Sequence, residues 1–203
     1  MRDLLAFLTD RGKFLPLDLA KVATNPSDRG LFYFKDADVE RLIFPDWKDK
    51  MFNGVPFHVI DPQDGTVNNA IVFKGGPEGA QSLKGPTKVE LPINTEISAL
   101  HFLSGVNGWG FPYNQRKSVS LIVRFVYADG TTEDHELKNG EYFSDYITRN
   151  DVPKSEYAFK LRNQQIRYFS VSPEKAETVE KVELIKGPDP TAPVVMAITM
   201  EGK

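Results

Sequence analysis

The segment from Val106 to Asn114 places Trp109, Phe111 and Tyr113 at alternate positions among glycines, a proline and two asparagines. Sugars present apolar C–H faces ringed by hydroxyls, so a sugar site wants an exposed aromatic plate beside amide and guanidinium groups. Asn107, Asn114 and Arg116 could supply those polar groups here. Gly108 and Gly110 leave the indole of Trp109 few local neighbours, and Pro112 stiffens the loop. Two readings stay open: the rings form a ligand platform, or they cap the end of a hydrophobic core.

Other chemistry is weaker. The stretch DPQDGTVNN from Asp61 gathers Asp61, Asp64, Asn68 and Asn69, oxygen donors suited to a structural calcium. The spacing is not that of an EF-hand, and Asx-rich turns usually cap their own backbone, so any metal ligand set is left unassigned. His58, His101 and His135 are the histidines available as general bases, and Glu133 shares a strand face with His135. No nucleophile motif, metal signature or glycine-rich phosphate loop accompanies them, so the chain is expected to have no catalytic residues and not to be an enzyme. With no cysteine, disulfides, thiolate sites and covalent haem c are all excluded.

These residues must be held by strands. Fourteen prolines and fifteen glycines fall between short apolar runs, which suits many strands and turns. The clearest strand runs from Ser118 to Tyr127, with Val119, Leu121, Val123, Phe125 and Tyr127 on one face. Asp129-Gly130 then predicts a tight hairpin, with Thr131 to Lys138 returning antiparallel. Further strands are expected over Phe14 to Leu19, Val55 to Ile60, Ala70 to Phe73, Val89 to Ile93, Ile97 to Leu103, Ile166 to Val171, Val179 to Ile185 and Val194 to Met200. Ile97 to Leu103 is apolar on both faces, as in a central strand covered on each side. Ala23 to Phe52, Lys74 to Lys84, Gly105 to Lys117 and Ser144 to Gln165 are read as irregular surface excursions. A short amphipathic helix is predicted over Arg2 to Thr9, ended by Gly12. Many short strands without helical crossovers predict an all-β fold of two packed antiparallel sheets, a jelly-roll sandwich.

Composition bounds the rest. Apolar residues make up 40% and charged residues 26% of the 203, ordinary globular usage with a core large enough to need no staples. A net charge of -3 supplies no basic field for nucleic acid or an anionic membrane. No apolar run reaches the ~20 residues of a membrane-spanning helix, and the acidic opening residues do not form a signal peptide.

Three segments together carry a resemblance: HFLSGVNGWGFPYN from His101, VRFVYADGTTEDHELKNG from Val123 and GPDPTAPVVMAITMEGK from Gly187. With FNGVPFHVIDPQ from Phe52, DYITRNDVP from Asp145 and QQIRYFSV from Gln164, the chain resembles the C-terminal module of planctomycete-type membrane-bound dehydrogenases. Those large exported proteins combine a sugar-dehydrogenase-like propeller, helical repeats and a haem c domain with a galactose-binding-like β-sandwich. The resemblance covers most of the chain from Phe14 onward. It implies that residues 1–13, including RDLLAFLTDRG, are the end of a preceding cytochrome c domain and that residues 14–203 form the β-sandwich module. It also implies a periplasmic or extracellular location. The haem-attachment cysteines and the propeller are absent here, so no electron transfer carries over. The expected role is a non-catalytic carbohydrate-binding accessory module that uses Asn107, Trp109, Phe111, Tyr113, Asn114 and Arg116 on a polysaccharide. The alternative is a structural module that docks on the parent enzyme's other domains.

Overall fold

The computed structural model describes residues 13–109 and 117–203, and the expected helix from Arg2 to Thr9 lies outside them. The chain is an antiparallel β-sandwich. Its strands are β1 (Phe14–Pro16), β2 (Lys50–Phe52), β3 (Val55–Phe57), β4 (Ile71–Val72), β5 (Lys88–Thr95), β6 (Ile97–Asn107), β7 (Val119–Tyr127) and β8 (Thr132–Lys138). They continue with β9 (Glu156–Leu161), β10 (Gln164–Val171), β11 (Val179–Lys186) and β12 (Ala192–Gly202). Helical structure among the described residues is limited to two single 3-10 turns, Asp38–Glu40 and Gln81–Lys84.

One sheet runs β1-β12-β6-β10-β9, with β4 also on β12, and the other runs β5-β11-β7-β8. From β5 onward the chain steps between the sheets so that β12 returns beside β6 and β11 between β5 and β7. Two interleaved Greek keys of this kind make a jelly roll. The β7–β8 hairpin has the expected turn: Gly130 takes φ +83°, and the Thr131 amide donates to Asp129 Oδ1 at 2.8 Å.

The main core lies between the sheets. Leu121, Val123, Phe125 and Tyr127 of β7 meet Leu100 and Phe102 of β6 and Phe169 of β10, all essentially without solvent contact. Phe102 and Phe169 stack at 5.1 Å. Burying such a side chain contributes about 1.5–3 kcal/mol.

A second core covers the opposite face of the larger sheet. Leu31, Phe32, Leu42, Phe44, Val55 and Phe57 pack onto Leu103, Ile166, Val194, Met196 and Ala197. The central sheet is therefore buried on both sides, as the two-faced apolarity of Ile97 to Leu103 requires. In β12 a register shift between Val195 and Ala197 lets Met196 and Ala197 both face this second core, while Val195 and Ile198 face the first.

Candidate functional site

Trp109 follows directly on β6. The loop is started by Asn107, which is 5% exposed and whose Oδ1 accepts the Trp109 amide at 2.8 Å. The Gly108 amide donates to Asp145 Oδ2 at 2.6 Å, and the Ile147 amide to Asp145 Oδ1 at 2.9 Å. Burial pushes the Asp145 carboxyl above the ordinary aspartate value, and those two amides only partly offset it. Trp109 itself stands at φ +58°, the left-handed region that a bulky side chain enters only when its surroundings fix it.

The surroundings are long-range. The indole N–H donates to the Pro190 carbonyl at 3.0 Å, and the same carbonyl accepts the Gly76 amide at 2.8 Å. Gly76 has φ +117°, and a Cβ placed there would collide with the indole. The ring meets Phe32 and Tyr33 edge-on at 6.5 and 6.4 Å. Pro190 is fixed in turn by its neighbour Asp189, whose carboxylate accepts from Ser118, Ser120, Thr191 and Lys186. Lys186 is almost fully buried, and burial lowers its pKa against the pull of Asp189.

Trp109 is thus half-buried: one part of the ring caps the second core and the rest stays accessible. The expectation of few neighbours fails in space, because Gly76, Phe32 and Tyr33 close on the ring from distant sequence. Next to it Tyr33 packs on Phe34 at 4.4 Å, and Phe34 is 64% exposed. A single buried carboxylate holds these rings up. Glu40 Oε2 accepts the amides of Phe32, Tyr33 and Phe34 at 2.9, 2.8 and 3.3 Å. Trp109, Tyr33 and Phe34 form a continuous aromatic surface at one end of the sandwich.

Of the residues assigned from sequence, Asn107 shapes the loop from inside and Trp109 reaches the surface. Phe111, Tyr113, Asn114 and Arg116 lie outside the described residues. Tyr33 and Phe34 were missed, since they sit in a segment without periodicity and meet Trp109 only through folding. The aromatic run LFYF from Leu31 was the available signal.

The Asp61 to Asn69 donors do not converge. Asp61 Oδ1 caps the Gln63 amide at 2.8 Å, while the Asn69 amide bridges Ser27 and the Ile60 carbonyl. Among the described residues no group of three or more His, Asp or Glu side chains is arranged for a metal. The donors serve their own turns instead.

The histidines are likewise occupied. His101 is 6% exposed, with Nδ1 on the Tyr168 hydroxyl and Nε2 on Glu201, each at 2.8 Å. Burial raises the Glu201 carboxyl, but bonds from Lys13 and His101 hold it below the usual value. Glu133 accepts from the Tyr127 hydroxyl and pairs with His135, and it also takes the Glu174 amide at 3.0 Å. His58 pairs with Asp49 on the surface.

No family model and no curated protein matches the chain. Among solved structures, the catalytic unit of the thermostable GH87 alpha-1,3-glucanase from Streptomyces thermodiastaticus strain HF3-3 is similar to it. The match has 16% identity and a TM-score of 0.41, covering 94% of this chain and 26% of that one. The chain therefore spans about a quarter of the protein that it matches.

Proposed function

We propose that this chain is a non-catalytic carbohydrate-binding module, an accessory to a larger exported dehydrogenase that it holds near a glycan. The observation that carries the reading is the aromatic surface of Trp109, Tyr33 and Phe34, in which the indole is held by the Pro190 carbonyl and packs on Tyr33. A rigid plate loses little entropy on binding, and an aromatic face stacks on the C–H face of a pyranose. Tethering raises the local substrate concentration for the partner domains without new chemistry. The parent enzyme and the periplasmic or extracellular setting rest on the sequence resemblance.

A docking role is favoured by a different observation. Val39 and Ile147 line one cleft and are 66% and 41% exposed, and exposed apolar surface of this kind marks partner contacts. A glycan-array screen followed by Trp109→Ala separates the two. Sugar binding predicts loss of about 1–3 kcal/mol of affinity, roughly fivefold to 150-fold, with the fold retained. If no polysaccharide binds the intact chain at millimolar concentration, the docking role replaces it.

A further inference from the structure

The turn Asp38–Glu40 does two jobs. Glu40 points inward to hold the ring-bearing loop, while Asp38 and Val39 wall a separate cleft of about 280 Å³ with Ile147, Arg162, Asn163 and Gln164. Such a volume is just under the usual range of small-molecule sites, so only a small ligand would fit. Three features of the lining point to a ligand.

Gln164 is 5% exposed, and its side-chain N–H group donates to the Val39 carbonyl. Its Oε1 has no hydrogen-bond partner among the described residues. A buried acceptor left unmet is uncommon and calls for a donor from elsewhere. Arg162 stands at φ +57° in the β9–β10 turn, where glycine or asparagine fits more easily. Its guanidinium donates at 2.8 Å to Asp38, which also takes Arg41 at 3.0 Å, so among the described residues most of its five N–H donors remain. Val39 and Ile147 leave apolar surface open beside these polar groups.

We propose that this cleft is a second sugar subsite that takes one neutral pyranose unit. The inference rests on the carbohydrate reading and extends it to a site that does not use the aromatic rings. A hydroxyl both donates and accepts, so it can donate to Asp38 and, with a small turn of the side chain, to the enclosed Gln164 Oε1, while accepting from Arg162 and Asn163. A simple ion of either sign would meet a like charge, since Asp38 and Arg162 stand together and already neutralise each other. The ring's C–H face fits Val39 and Ile147.

The test is an amide-resolved NMR titration of the intact chain with methyl glucoside, methyl galactoside and glucuronate. Shifts at Val39, Ile147 and Arg162 to Gln164 are expected with either neutral glycoside. The dissociation constant should be on the order of 1–10 mM for a ligand of about thirteen heavy atoms. Arg162→Gly removes the guanidinium and relieves the left-handed backbone, so it should weaken binding roughly fivefold to tenfold while leaving the melting temperature unchanged or higher. Equal affinity in Arg162→Gly, or a response to glucuronate alone, overturns the subsite. Shifts confined to Trp109, Tyr33 and Phe34 overturn it while leaving the proposed function standing. Shifts confined to the cleft support it and remove the aromatic surface, and no shift anywhere sinks both.

Discussion

On the outer face of the four-stranded sheet, Glu90, Glu183, Arg124 and Asp134 stand in one row across β5, β11, β7 and β8. Lys181 and Lys88 bridge the first two, and Arg124 grips Asp134 with two bonds at 2.6 and 2.8 Å. The outer face of the other sheet has no such row, because much of it lies under the chain between β1 and β5 and forms a second core. The contrast shows how one sandwich divides its tasks. A bare face settles its charges among cross-strand neighbours and offers no ring to a ligand, whereas a covered face brings distant segments together, and the edge of that cover becomes the aromatic surface.

The comparison breaks most readily at Phe57, which has no solvent contact and faces the second core. If the cover is part of the folding unit, Phe57→Ala costs about 3–5 kcal/mol by denaturant unfolding, with a single transition. A cost below about 1 kcal/mol, within the range of surface changes, would mean that the cover is an appendage. Next comes Gly76→Ala, whose new methyl meets the indole of Trp109. It should cost roughly 1–3 kcal/mol and displace the ring, seen as a shift in tryptophan fluorescence together with weaker glycan binding. On the bare face, Arg124→Ala should cost no more than about 1 kcal/mol and less in high salt, because exposed pairs are screened.

The smallest effect concerns acid. Hydrogen bonds from Lys181 and then Lys88 lower Glu90 from 4.5 to about 2. Its contribution to stability is fully present above pH 4.5 and disappears as pH falls toward about 2. Glu90→Gln should therefore flatten the acid limb of the stability profile. Asp145 has the opposite sign: its pKa is raised by burial, so protonation relieves a cost in the folded state. The wild type should gain stability relative to Asp145→Asn as pH drops from neutrality through that raised value. Parallel profiles for the two variants would erase the distinction between the regions.

How far the sequence reveals all this depends on whether a signal is local. β7 was legible because Leu121, Val123, Phe125 and Tyr127 alternate cleanly between a buried face and a polar one, and Asp129-Gly130 encodes its turn. β9 was hidden inside a segment read as irregular. It is an edge strand, and Tyr157, Ala158 and Phe159 are all half-buried, so no period of two stands out. β2 was lost in the same way, as three residues in a hairpin that lies over the larger sheet. In the candidate site Trp109 was found from its flanking glycines, but the partners that fix it come from residues 32–33, 76 and 190. Nothing near Trp109 in sequence encodes them. Asp61 and Asn69 showed the converse, a local cluster of donors that the fold commits to backbone groups.

β1 and β12 run antiparallel, with Phe14 opposite Glu201 and the Gly202 amide bonded to the Lys13 carbonyl at 2.7 Å. Residues 13 and 202 are therefore side by side, and tension applied at these two points would load the pair as a zipper rather than in shear. Its few bonds would break one after another at low force, pulling Phe14 off His101, where the rings meet at 5.6 Å. Each residue freed yields roughly 3.3 Å of length. β12 would still be held along its whole length by β6, so the sandwich behind the zipper would stay intact while its β1 edge served as a short extensible tether.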